Sequence, residues 1–439
     1  MFTAARIIKS NPNSKLTIIA PKKRDKAASA AAGLMLNIFS EIDIVSEEMP
    51  LTKWKLKNWR ESLSKWDDFF SEKGIVLKRQ IFSSRGTKIY FDKNSKNDLE
   101  RKSFYKLFET ALAYGATDQA KIEDEIFLPH EHSVDARLAL NSLDEFAMHH
   151  STIIDDYVDK IEPLKKGIQI FLKSKKELIF DKVILAAGSA SSRILRNSPI
   201  NTDNIPLCFN GVGSALEIFS ELNYLNKLET KHILRSPNRG GTCGIHMVQR
   251  SNSIYVGASS VVTDINLKSP RLGSVETLIK GAKNELGLGD ILRQSMNILT
   301  GYRPISQDAV PVFGEFNSDL FLSYGHKRDG FTWAPFLSEI IENWINDENY
   351  NYEFGKYLEL CDPLRDSFSS FGSYEKSKEL YLLNEEFSYE QHNETFDAST
   401  KNELIKRFDE LHKNTKFKNS VCHPELVSIN YFLLKNLNN

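Results

Sequence analysis

The chain has 439 residues, 41% hydrophobic and 26% charged, with a formal net charge of −1. This is an ordinary balance for a chain able to bury a large core in two or three domains. It argues against a nucleic-acid binder working by bulk positive charge, and no apolar run reaches the roughly 18 residues of a membrane-spanning helix.

Strand-like and helix-like stretches alternate, which predicts an α/β or α+β fold. Phe2 to Lys9 suits a helix, and Leu16 to Ala20 is a short β-branched strand. KNWRESLSKWDDFF places Trp59, Leu63, Trp66 and Phe70 on one helical stripe. Residues 75–92 read as strands and 135–150 as a helix. GIQIFLKSKKELIF, 167–180, alternates around SKK as a hairpin does, and DKVILAAG follows as a buried strand. IHMVQRSNSIYVGAS, 245–259, reads as another hairpin, and 274–286 as a helix. APFLSEIIENWIN, 334–346, has proline in its first turn and apolar pairs at helical spacing. Beyond residue 350 Lys, Glu, Asn and Tyr dominate, and NELIKRFDELHKN and PELVSINYFLLKNL read as amphipathic helices.

Two motifs carry chemistry. In VILAAGSASSRIL, 183–195, a strand runs into Ala186, Ala187 and Gly188. Small residues there admit a close backbone or a flat cofactor, and they equally suit a plain turn. In GYRPISQDAVPVFGEF and DLFLSYGHKRDGFTWAP, a strand enters a loop with Gly325 and Gly330 that opens the 334–346 helix. Backbone N–H groups at a helix N-terminus favour negative charge, so the segment suits a phosphate or an anionic reduced ring.

Taken together, the first helix, LTIIAP, AASAAAGLML, VILAAGSASSRIL, GYRPISQDAVPVFG and SYGHKRDGFTWAP resemble the D-amino-acid oxidase superfamily of FAD-dependent oxidoreductases over roughly 1–350. The resemblance implies a Rossmann-like FAD-binding domain (1–50, 135–205 and 300–350), an interleaved α+β substrate domain (51–134 and 206–299) and a helical C-terminal region (351–439). It implies FAD held non-covalently, since LTGYRP has no cysteine. It places Ser29 and Gly33 in the loop that passes the flavin, Val158 at the adenine, Ala187 and Gly188 along the dinucleotide, and Gly325, Gly330, Phe331 and Thr332 at the flavin pyrimidine edge. Arg303 falls where amino-acid-oxidising relatives clamp the substrate carboxylate. A planar guanidinium suits that role because its fork makes two parallel hydrogen bonds. The chemistry implied is hydride transfer from a carbon next to an amine.

The pattern departs from the family in two places. The family begins with a strand and G-x-G-x-x-G, whose third glycine would fall at or before Met1. The functional polypeptide is therefore expected to start about 15–25 residues upstream, enough for a strand and a glycine turn. A groove is expected beside Leu16 to Ala20 and near Gly188. Ala20 and Pro21 stand where an acidic ribose ligand is usual, followed by the basic run Lys22 to Arg24.

His246, Tyr255 and Arg239 are candidates for the substrate cavity, with a structural histidine as the plain alternative at 246. Lys327 and Arg328 are candidates to offset charge on a reduced ring, or are surface residues. His130, His132, His149 and His150 lack metal-ligand company, so no metal is expected. Ser189 lacks the G-x-S-x-G elbow of a hydrolase. Cys208, Cys243, Cys361 and Cys422 read as free thiols in a reducing cytoplasm. The expected partner is a small amine or amino acid. Neither nucleic acid nor membrane is expected, and a homo-oligomer is left open. A non-catalytic or truncated scaffold of the same fold is the second reading, and bound flavin separates the two.

Overall fold

The computed structural model describes residues 1–439 except 25, 73–81, 92–97, 123, 220–230, 239–243, 251–252, 266, 268, 347–349, 366–371, 392–394, 414–416, 418–419 and 438–439. Arg239 and Cys243 lie outside the described residues, as does the first part of the 75–92 strand region.

The fold is mixed α/β. Its largest sheet runs in the order Val261–Thr263, Cys208–Phe219, Ile254–Gly257, His246–Gln249, Ile233–Arg235, Phe82–Tyr90, Glu125–Val134, Met35–Leu36. Ser295–Ser306 pairs with Cys208–Phe219 along its whole length, from Cys208 opposite Ser306 to Phe219 opposite Ser295. All pairs are antiparallel but one, Ile233–Arg235 with Phe82–Tyr90. The expected hairpins form at 168–180 and 246–257. Asp135 caps the Ala136–His150 helix by accepting from the N–H groups of Arg137 and Leu138 at 3.0 and 3.1 Å.

Two small parallel pairings stand apart from this sheet. Thr17–Ile19 pairs with Thr152–Ile154, and Val183–Leu185 pairs with Leu320–Leu322. Among the described residues no strand joins them. The strand of VILAAG was expected to be fully buried. Only Leu185 is; Val183 and Ile184 are half-buried, and Ala186 and Ala187 are exposed. Among the described residues this strand pairs on one side only, with Leu320–Leu322, so it is an edge strand.

The helix Phe2–Ser10 packs on Ala334–Ile345. Their contact holds a buried polar knot. Arg6 donates to Ser338 Oγ at 3.0 Å and to Glu342 Oε2 at 3.1 Å. Trp59–Glu72 packs on the same helix. The C-terminal helices Tyr350–Cys361, Tyr374–Gln391, Ala398–Lys413 and Val427–Leu437 share one apolar core with the rest of the chain: Phe354, Tyr357, Phe408 and Leu426 lie in the same cluster as Phe313, Phe336 and Ile340. No helix among the described residues is long and apolar enough to cross a membrane.

Candidate functional site

Arg303 lies on the long strand Ser295–Ser306, opposite Gly211. Its Nη2 donates to the carbonyl of Ser259 at 2.9 Å. Its Nη1 is buried and has no hydrogen-bond partner. The guanidinium has room because residue 213 is glycine: a Cβ there would stand 2.5 Å from Nη2 and 2.8 Å from Cζ. Glycine inside a strand often marks such a close approach.

His246 and Tyr255 come from the neighbouring hairpin and stack, with ring centroids 5.7 Å apart. Both are buried. Burial pushes the His246 imidazole down to about 3, and the nearby Arg235 and Arg303 cations act in the same direction. The ring is therefore neutral at physiological pH. One of its nitrogens, Nδ1, lies 3.2 Å from the Gly244 carbonyl. Gly33 meets Tyr255 edge-on: a Cβ at 33 would stand 2.8 Å from Cε1 of the ring. The short helix Ala28–Ala31, which carries Ser29, lies against the Arg303 strand. Ala27 bridges Tyr302, Tyr302 N–H donates to the Lys26 carbonyl at 2.8 Å, and a Cβ at Gly301 would meet the Ala31 Cβ at 2.8 Å.

The loop from Gly325 to Thr332 closes this region. Gly325 has φ +79°, and a Cβ there would meet Ser306 Cβ at 3.1 Å, so a side chain is disfavoured twice over. Ile305 bridges His326, and Lys327 N–H donates to the Pro304 carbonyl at 2.8 Å. The Arg303 strand and the glycine loop are thus joined directly. Thr332 is only 1% exposed. Its carbonyl accepts from Trp66 Nε1 at 2.9 Å, and its hydroxyl lies 3.4 Å from the Met35 carbonyl. Phe331 packs edge-on to Phe2 and lies 5.0 Å from Trp66, centroid to centroid. A stretch read as a loop is therefore anchored by aromatic packing, and a Cβ at Gly330 would stand 3.1 Å from His326 Cβ.

Ala187 and Gly188 sit at the end of the Val183–Leu185 strand. Gly188 has φ +59° and nothing within 4 Å of where a Cβ would be. Val158 opens the hairpin strand Val158–Pro163 and packs at the edge of the same apolar cluster as Leu185 and Ile19. The structure therefore brings Ser29, Gly33, His246, Tyr255, Arg303 and the 325–332 loop together, while Val158, Ala187 and Gly188 lie around the small parallel pairings, with the turn Gly188–Ala190 also packed on the Ser295–Ser306 strand.

A charged network that sequence reasoning missed lies beside His246. Arg235, 0% exposed, donates to Ser40 Oγ and Glu41 Oε1, each at 3.0 Å, and to Asn238 Oδ1 at 2.6 Å. Glu41 Oε2 accepts from Arg328 at 2.9 Å. Burial raises the Glu41 carboxyl, but Arg235 and Arg328 outweigh it and hold it down at about 2. Glu131 accepts from the N–H groups of Ile38 and Ser40 at 2.9 and 3.0 Å, while its Oε2 is buried without a partner. Burial raises its pKa, against the lowering effect of those hydrogen bonds. Arg328 is thus an ion-pair partner inside the protein, with a side chain only 13% exposed. Among the described residues no group of three or more His, Cys, Asp or Glu is placed to hold a metal ion.

Small parallel pairings, a broad antiparallel sheet and a glycine loop entering a helix thus form a mixed α/β scaffold around these residues. A family model described as FAD dependent oxidoreductase (DAO) matches residues 15–344, and the chain belongs to that family. FAD is the family's cofactor. Among solved structures, the chain is similar to iminodiacetate oxidase from Chelativorans sp. BNC1, at 15% identity over 82% of this chain and 96% of that one, with a TM-score of 0.63. It is similar to glycine oxidase from Geobacillus kaustophilus at 17% identity, covering 81% and 94%, with a TM-score of 0.62. A third neighbour is L-alpha-glycerophosphate oxidase from Mycoplasma pneumoniae with FAD bound, at 15% identity, 79% and 91% coverage and a TM-score of 0.61. No curated protein matches the chain.

The residues present fit the flavin end of such a cofactor. Gly33 and Gly325 admit the close approach of Tyr255 and Ser306, and Arg303 carries a buried N–H group that is left as a donor for an incoming acceptor.

Proposed function

We propose that this chain oxidises the carbon–nitrogen bond of an amino acid or a carboxylate-bearing amine. The observation that carries this reading is Arg303. A buried guanidinium N–H without a partner costs on the order of 1–3 kcal/mol, more where charge is involved. An incoming carboxylate removes that cost and gains a charge-assisted hydrogen bond.

When bound, FAD supplies the acceptor for the hydride lost by the carbon next to the amine. The chain's own residues bind and orient. Arg303 fixes the carboxylate, and the Ser259 carbonyl fixes Arg303. His246, neutral and buried, puts no second positive charge beside Arg303. Tyr255 packs so closely on Gly33 that a Cβ there would stand 2.8 Å from the ring. Substrate amine that enters neutral needs no protein base for the hydride step. Loss of the amine proton then gives an imine, which water hydrolyses to a carbonyl compound.

The test is an absorbance spectrum of the purified protein followed by a panel of amines with and without a carboxylate. Bound flavin that is bleached only by carboxylate-bearing amines supports the reading. Flavin bleached equally by amines lacking a carboxylate overturns the Arg303 assignment, and absence of flavin from a protein supplied with FAD overturns the enzyme reading.

A further inference from the structure

We propose that the C-terminal helical region is a clamp on the site, with Arg365, Asn430 and Glu425 as positioning residues that hold the Arg303 strand and the glycine loop from behind. The inference rests on the reading of those two segments given above.

The first grip is on the turn that follows Arg303. Arg365 engages both oxygens of Asp308, Nε at 2.6 Å and Nη2 at 2.8 Å, in a paired arrangement. It also donates to the carbonyls of Val310 at 2.9 Å and Pro311 at 3.1 Å. Asp308 is 1% exposed and turns inward to accept from Val310 N–H at 3.2 Å. Arg365 thus ties down the turn 308–311 at side chain and backbone together. Asn430 adds a second tie: its Nδ2 donates to the Gln307 carbonyl at 3.2 Å.

The second grip is on the glycine loop. Lys327 stands at φ +50°, a conformation a non-glycine residue adopts only when its surroundings fix it. Two contacts do so. Its N–H donates to the Pro304 carbonyl, and its ammonium pairs with both Glu425 oxygens at 2.8 and 2.7 Å. Glu425 is itself set by His423, which accepts from the Glu425 N–H at 3.3 Å. The Lys327 side chain is thereby committed to the C-terminal region. Because Ile305 bridges His326, the two gripped segments are already zipped to each other. A loosened grip on either one therefore reaches the position of the guanidinium, where an error of about 1 Å costs roughly 100-fold.

The test compares three variants of the full chain. Arg365→Lys removes the paired geometry, Glu425→Gln removes the carboxylate charge that pairs with Lys327, and Asp409→Asn breaks the Lys378–Asp409 pair (2.8 Å), which touches neither segment. Amide hydrogen exchange is followed by mass spectrometry, and FAD affinity and steady-state kinetics are measured on the same samples. Arg365→Lys is expected to speed exchange at Gln307, Ala309 and Val310 by at least ~10-fold while leaving 328–333 unchanged. It is expected to raise KM for a carboxylate substrate by ~10-fold with kcat within about 2-fold. Glu425→Gln is expected to speed exchange at Lys327 and Asp329 and to weaken FAD by ~10-fold. Asp409→Asn is expected to lower Tm without either local signature. If Arg365→Lys does not fold, Asn430→Ala probes the same turn. Exchange that rises uniformly, or not at all, in the Arg365 or Asn430 variant and in Glu425→Gln overturns the clamp. Local exchange changes in a wild-type background that oxidises no amine would leave the clamp standing and remove the proposed reaction.

Discussion

Gly213→Ala gives a direct measurement of how closely Arg303 is positioned. The substituted Cβ would stand 2.5 Å from Nη2 and 2.8 Å from Cζ of Arg303. Ordinary carbon contacts begin nearer 3.5 Å, so the guanidinium must retreat by about 1 Å. Arg303 meets the methyl with the far end of a flexible side chain, so the fold absorbs the change below the ~1–3 kcal/mol typical of overpacking a rigid core. The hydrogen bond to the Ser259 carbonyl, 2.9 Å long, does not survive such a shift intact. A displacement of about 1 Å from productive geometry costs roughly 100-fold, or about 2.7 kcal/mol. The assay is kcat/KM for the best carboxylate-bearing amine, beside a matched amine without the carboxylate, with Tm as the check on folding. The expected outcome is a loss of about 10- to 100-fold confined to the carboxylate substrate. Unchanged kcat/KM on the carboxylate substrate would refute the assignment of Arg303, and so would an equal loss on both substrates.

Three further outcomes follow from the same structure. Arg303→Ala is expected to weaken carboxylate substrates by about 2–5 kcal/mol, and Arg303→Lys to lose part of that because the fork is gone, as read from steady-state kinetics. Glu41→Gln leaves the fully buried Arg235 cation short of its partner, and chemical denaturation is expected to show a loss of about 3–5 kcal/mol. The Glu41 carboxyl is held at about 2 against an ordinary 4.5, so its stabilisation is complete above 4.5 and is lost as pH falls towards 2; the variant should lack that acid dependence. Burial holds His326 and His423 neutral down to about 4 and His246 to about 3, against an ordinary 6.5. The unfolded chain takes up those protons first, so stability falls as pH drops from 6.5 towards 4, by up to ~1.4 kcal/mol per pH unit for each histidine. His423→Gln should flatten the slope by one histidine's share, and an unaltered slope would count against its burial as a neutral base.

The elements that sequence shows best are those whose burial follows one period. APFLSEIIENWIN declares its helix because its apolar pairs recur every turn, and Ala334–Ile345 forms. The 168–180 hairpin declares itself by alternation. Glu125–Val134 shows where that logic stops. Ile126 and Leu128 are buried in step, but from Glu131 to Ser133 the buried set has shifted by one residue. The pairing with Phe82–Tyr90 is irregular between Arg85 and Thr87, opposite this shift. Three residues of this strand, Pro129 to Glu131, stand between the paired Leu128 and His132 against the single Gly86 opposite, which breaks the alternation. That is how Glu131 enters the core, and no local pattern announces it.

The site divides along the same line. Gly325 and Gly330 are legible because a glycine pair ahead of a proline-opened helix has a backbone reason that lies within one segment. Arg303 became legible only through the resemblance, since an arginine in a strand has no local signature. Arg235, Glu41 and Arg328 are charges from three separate segments; the first two alone read as solvated side chains, and Arg328 as a surface residue or a partner for a reduced ring. Their partnership requires the Ile233–Arg235 strand beside His246–Gln249, the turn at Phe39–Glu41 and the glycine loop to converge. Gly213 left one usable trace: in FNGVGSALEIF two glycines interrupt a run of strand-forming residues, where packing against a neighbour is the reason to omit a side chain. The neighbour is the guanidinium of Arg303. The residue that makes the site possible is therefore one defined by the atom it lacks. Sequence can mark such a position as a gap, and only the register of Cys208–Phe219 against Ser295–Ser306 says which side chain fills it.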